Sequence, residues 1–287
     1  EDSLQTAIGG VVQYGSAPAI LIGGPTAITL GSVGPGAYND YGIVLRGQVS
    51  ANGVYDGITA TGMQIGGLGG AVNVTNGINL RGQIASVTYF ADATGLRLGA
   101  LANVPLFQVN GSLVASTVSK TGGAPNTVGL DIEAGANLPA LAVNGTIVAS
   151  VDGPTGTATA VRDRSGTLTS ITNTGAIEAE VVSDVGITTE NRAIALDFST
   201  NTSGVTVTQK EASSGIPKIT GDILLGGGSD FIDLQNGSIL GKLSFGGGND
   251  TLTLTNGSIY RGEISKGAGN LAINVTAGVL SLTNRGA

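Results

Sequence analysis

Two Gly-Gly-Gly-x-Asp blocks hold the residues whose types and spacing could do chemistry. They begin at Gly226 and Gly246, a 20-residue step apart, and end in Asp230 and Asp250. Glycine turns closed by an aspartate resemble half of a calcium-binding nonapeptide, which makes Asp230 and Asp250 candidate calcium ligands. Calcium rolls repeat that motif about every nine residues so that neighbouring turns share ions. Here it recurs once per 20 residues, and Leu225 and Phe245 stand where the first glycine would be. The competing reading is a tight turn in which the aspartate bonds local backbone. It is the preferred one and carries the expectation that folding needs no metal. A glycosidase-type carboxylate pair, about 5 to 10 Å apart, could also be drawn from these acids. Asp230 with Asp250 on neighbouring coils, or Asp230 with Asp233, would supply it; a polysaccharide lyase would also want a basic residue beside the acids, and Lys242 is the nearby candidate. Against this the chain has no Trp, no His and only 6 Tyr and 5 Phe to stack sugars. No catalytic, metal or cofactor-binding residue is assigned, and no cofactor is expected.

Asn-Gly pairs at 76, 110, 144, 236 and 256 form a second group. Both residue types tolerate positive φ, so the pair marks turns; stacked at equivalent corners, asparagines can also form amide ladders. Tyr38 and Tyr41, with Tyr55, make an aromatic patch that could contact a glycan or partner, or cover the edge of a first coil. Arg46 and Arg81 precede Gly-Gln in matching motifs. Their recurrence points to structure.

These residues sit in a repeat. Ile223 to Ile239 is rewritten as Leu243 to Ile259, and Gly47, Gly82, Gly111, Gly145 and Gly175 recur at longer, uneven steps within looser copies. A second short strand follows each copy, as in Thr61-Gly-Met-Gln-Ile65 and Thr94-Gly-Leu-Arg-Leu98. Units of this size are stacked coils too thin to bury a core alone. The fold class expected is all-β, a right-handed parallel β-helix with coils of about 20 residues plus loop insertions. Residues 1–40 read as irregular N-terminal coils or a cap, 41–218 as β-helix with long insertions, and 219–287 as regular 20-residue coils. Period-two alternation places Leu225, Ile232, Leu234, Ile239, Leu243, Phe245, Leu252, Leu254, Ile259 and Ile264 inside, with the intervening threonines outside.

Composition bounds the function. The 287 residues include 49 glycines, 41% hydrophobic residues and only 11% charged ones, with a net charge of −7. Lys and Arg form no run, so a nucleic-acid footprint is missing. Without Cys or His the chain lacks disulfides, thiolate chemistry and Ser-His-Asp triads. Glu1 opens no basic or apolar leader, so a signal peptide is absent from this sequence.

The Asn-x-Gly-x-Ile motif (Asn173-Thr-Gly-Ala-Ile177), the second strands and the Gly-Gly-Gly-Asn-Asp-Thr-Leu block ending at Leu252 resemble the passenger region of bacterial autotransporters over roughly residues 41 to 280. That resemblance implies a parallel β-helix at the bacterial cell surface or secreted. Its partner in the full-length protein would be an outer-membrane β-barrel. The function expected is a non-enzymatic stalk or adhesin-like rod. The alternatives are a self-assembling surface-layer or filament subunit and a polysaccharide-degrading β-helix enzyme. Open coil edges could pair with a second copy. The C-terminal coil, Leu271 to Leu282, is the expected edge for such self-association, and the N-terminal segment ending near Asp40 suits a cap.

Overall fold

A computed structural model describes residues 9–36, 40–182, 191–211 and 215–283. Strands and connecting turns make up all of them, and every strand pairing is parallel. The first face stacks ten strands: Gly10–Tyr14, Gln48–Asn52, Gln83–Tyr89, Ser112–Val118, Thr146–Asp152, Ala176–Val182, Lys218–Thr220, Ser238–Leu240, Ile259–Gly262 and Val279–Leu282. A second face stacks nine strands from Ile20–Ile22 to Ile264–Lys266, and a third stacks nine from Ile43–Leu45 to Leu271–Val275. A short fourth sheet joins Ile28–Leu30, Val72–Val74 and Ala102–Asn103 in the early coils. The chain visits these faces in turn and returns one strand higher, which is a parallel β-helix. Ten strands at about 4.8 Å spacing give a stack roughly 43 Å tall.

The recurrent glycines mark one corner. A Cβ on Gly82 would stand 2.0 Å from the carbonyl oxygen of Gly47; on Gly111, 1.9 Å from that of Gly82; on Gly145 and Gly175, 2.0 Å from those of Gly111 and Gly145. Real atoms do not approach so closely, so this column demands glycine for contact between coils. Leu45-Arg-Gly-Gln-Val49 and its copies are therefore two strands joined across a corner: Leu45 ends a strand of the third face and Val49 lies in the first.

Inside runs a main hydrophobic core from Ile43 to Tyr260, beside a small second cluster of Ala149, Val151, Ala158 and Ala179. On the first face Val49, Ile84, Leu113, Ile147, Ile177, Ile219 and Ile239 stack in register. Eight of the ten residues expected inside are buried, and Ile264 is half-buried. Ile259 is the exception at 38% exposed. Ile239 pairs with Tyr260, not Ile259, because this coil is longer by a single residue than the coil before it. The extra residue is absorbed where Asn256 and Gly257 take φ of 52° and 75°. Ser258 turns inward, and its hydroxyl donates to the Leu234 carbonyl at 2.8 Å. Tyr260 is fully buried and donates its hydroxyl to the carbonyls of Gly241 (3.1 Å) and Glu263 (2.7 Å). Thr251 and Thr253 are partly exposed while Leu252 is buried, as alternation demands.

At the base, residues 10–30 form strands in register with the coil above. Val11, Val12 and Tyr14 there are exposed, as are Ile273, Val275, Val279 and Leu282 in the last described coil.

Candidate functional site

Asp230 and Asp250 lie on successive coils where the glycine turn enters the third face, and both are buried. Each carboxylate caps the coil below it. The Val205 amide donates to Asp230 Oδ1 at 2.8 Å, and the Asp230 amide donates to Asp250 Oδ1 at 2.9 Å. Asp230 Oδ2 is buried without a hydrogen-bond partner. Burial pushes the Asp230 carboxyl up to about 6; the Val205 amide works against that rise and the charge of Asp250 adds to it. One oxygen of each carboxylate is thus taken by a backbone amide of the neighbouring coil. Among the described residues no group of three or more acidic side chains is placed to hold a metal. Asp233 lies at the third face, half-exposed, and accepts from Gln235 Nε2 at 2.6 Å. Lys242 gives its backbone amide to Asp222 Oδ1 at 2.8 Å. Asp222, Asp230 and Asp250 are the buried members of this set, and each accepts from a backbone amide of a neighbouring coil.

The Asn-Gly pairs divide by geometry. Asn76 and Asn256 adopt positive φ and make turns. Asn110 and Asn144 stack instead: Asn110 Nδ2 donates to Asn79 Oδ1, and Asn144 Nδ2 to Asn110 Oδ1, both at 2.8 Å. The Thr174 hydroxyl extends the ladder to Asn144 Oδ1 at 2.8 Å. Gln48 and Gln83 form a comparable rung at 2.8 Å. On the second face Asp131, Arg162 and Arg164 form an ion-pair cluster, with Asp131 Oδ2 at 3.1 and 2.8 Å from the two guanidinium groups. Arg97 and Glu133 extend it. The buried Asp131 is paired twice here, across neighbouring coils, so its charge is not left without a partner.

The expected aromatic patch is rearranged. Tyr38 lies outside the described residues. Tyr41 is half-buried before the third face, and its hydroxyl donates to Gln108 Oε1. Tyr55 is 78% exposed at the corner between first and second faces, where it groups with Tyr14 (68%) and Tyr89 (45%). The 53–58 turn is tied there by the Gly57 amide donating to the Tyr89 carbonyl at 2.9 Å. Two open grooves of about 290 and 440 Å³ adjoin at this corner and share Tyr14 and Val54. Phe90 follows with φ of 60°, which a bulky residue rarely adopts. Lys120 Nζ lies 4.0 Å above its ring and 3.7 Å from Asp56. Tyr14 and Tyr89 escaped the sequence reading because they lie far apart in the chain and only stacking brings both to Tyr55. A larger groove, about 540 Å³, is lined by Thr220, Asp222, Leu240 and Arg261, but its carboxylate is the one held by the Lys242 amide.

No protein-family model, curated protein or solved structure matches the chain.

Proposed function

We propose that the chain is a non-catalytic extracellular rod, a stalk or adhesin-like passenger at the bacterial surface. In the intact protein its partner is an outer-membrane β-barrel. The observation that carries this reading is the unbroken register of the first face through ten strands, held by a glycine column, an amide ladder and one continuous core. In a solenoid built this way each coil contacts only its neighbours, so length is added by repetition along one axis. The commitment of Asp230, Asp250 and Asp222 to backbone amides argues against the enzyme reading, since a general acid must reach its substrate. Incubating the chain with acidic and neutral polysaccharides and following new reducing ends and unsaturated products tests the proposal. No release above a boiled control is expected; sustained release from any polymer would overturn it.

A second reading, a self-assembling subunit, draws support from the exposed Ile273, Val275, Val279 and Leu282. Light scattering across a concentration series separates it from the monomeric rod.

A further inference from the structure

We infer that the corner built by Tyr14, Tyr55 and Tyr89 is a binding site for a neutral glycan chain, two adjoining sugar rings filling its two grooves. This deepens the adhesin-like reading above and rests on it. The chain has only 11 Tyr and Phe residues in 287, yet four of them, these three tyrosines and Phe90, converge here from three coils. Exposed aromatic side chains that gather around grooves mark an interaction surface. Tyrosine combines a flat apolar face with a polar tip, which suits a ligand whose rings have C–H faces and hydroxyl edges. Tyr41 and Tyr260, by contrast, turn their hydroxyls to Gln108 and to the Gly241 and Glu263 carbonyls.

The rest of the corner narrows the ligand class. Asn52 and Ser16 add polar groups to the groove walls. Asp56 and Lys120 face each other at 3.7 Å, and Lys120 also covers Phe90. Asp92, the other acid beside Tyr89, already accepts from the Asn126 amide at 2.7 Å. No positive charge is left in excess to recruit an acidic polymer, and the chain's net charge of −7 further disfavours a polyanion. A peptide strand or second copy would use the open backbone edge of Gly10–Tyr14, and such pairing does not need Tyr55 or Tyr89. The grooves lie at the C-terminal end of that strand, against Tyr14 and the turns that follow it and its neighbour.

The chain lacks Trp, and three of its 6 tyrosines stand at this corner, so tyrosine fluorescence is sensitive to the site. Titrations use cellotetraose, maltotetraose, mannotetraose and chitotetraose, with oligogalacturonate as the charged comparator, and product analysis on the same samples. At least one neutral oligosaccharide should bind and oligogalacturonate should not. Tyr55→Ala and Tyr89→Ala should each weaken binding about tenfold, equivalent to about 1.4 kcal/mol. Tyr55→Phe should retain most affinity, and Ile216→Ser, at a residue 79% exposed elsewhere, should change nothing. The site is refuted if no neutral oligosaccharide binds. It is also refuted if the two alanine variants bind as the parent does, or if their only effect is to dissociate a dimer of the free chain. Absence of binding leaves the rod reading standing. Binding accompanied by cleavage keeps the site and sinks the non-catalytic reading.

Discussion

Replacing Asp230 by asparagine keeps the shape of the side chain and removes its charge, which isolates the energetics of the capping column. In the folded chain the carboxyl titrates near 6, against an ordinary value of 3.8, chiefly because it is buried. The folded state thus holds a proton that the unfolded state has released between those values. Stability from this group is fully present below about pH 4, falls as pH rises through the window, and is lost above about pH 6. A shift of about two units corresponds to about 3 kcal/mol. Asparagine can still accept the Val205 amide, but it places an N–H₂ where Oδ2 has no partner, at a pH-independent cost of about 1–3 kcal/mol. That cost cancels when the difference between parent and variant is compared across pH. Urea unfolding at several pH values between 4 and 7.5 should show Asp230→Asn gaining up to about 2.5 kcal/mol relative to the parent from the low end to the high end, since part of the full shift already lies below pH 4. Hydrogen exchange of the Val205 and Asp230 amides gives the local counterpart. A parent–variant difference that stays flat over this range would refute the assignment of a buried, weakly compensated carboxylate.

Gly111→Ala should lose about 3 kcal/mol or leave the chain aggregated, because its Cβ would meet the Gly82 carbonyl at 1.9 Å; circular-dichroism melts against Gly227→Ala, where the nearest atom is 4.0 Å away, isolate the column. Leu252→Asp should cost about 4 kcal/mol or more by putting an unpaired charge into the aliphatic core, read by urea midpoint. Ile259→Ser should stay within about 0.5 kcal/mol, while Tyr260→Phe should lose about 1 kcal/mol with its two carbonyl bonds; the reverse order would restore the uniform 20-residue register. Melts in chelator and in excess calcium should coincide, and a clear rise with calcium would return Asp230 and Asp250 to the role of ligands.

Gly47 and its successors were readable because a coil-to-coil contact leaves no room for a side chain, so the sequence must repeat glycine wherever the backbone does. The same logic made Ile232, Leu234, Leu252 and Leu254 readable as core. What escaped was local phase. The 21-residue step from Gly241 to Gly262 shows in the sequence, but not that its extra residue falls at Asn256-Gly257, where it carries Ile259 outward and Tyr260 inward. The third face was hidden because its strands are short and share motifs with the first across a tight corner, as Leu45 and Val49 do. The tyrosine corner depends on insertion lengths in three coils, and those lengths carry no hydrophobic pattern. Asp230 and Asp250 were recognised as neighbours, but sequence did not say that they point at backbone amides.

The proposal that this rod works outside the cell is tested most directly by labelling intact producing cells. The label is a protease or antibody directed at the exposed 53–58 turn, applied before and after permeabilisation. The account predicts full accessibility on unbroken cells, with Tyr55 among the cleaved or recognised residues. Accessibility gained only after permeabilisation would contradict it.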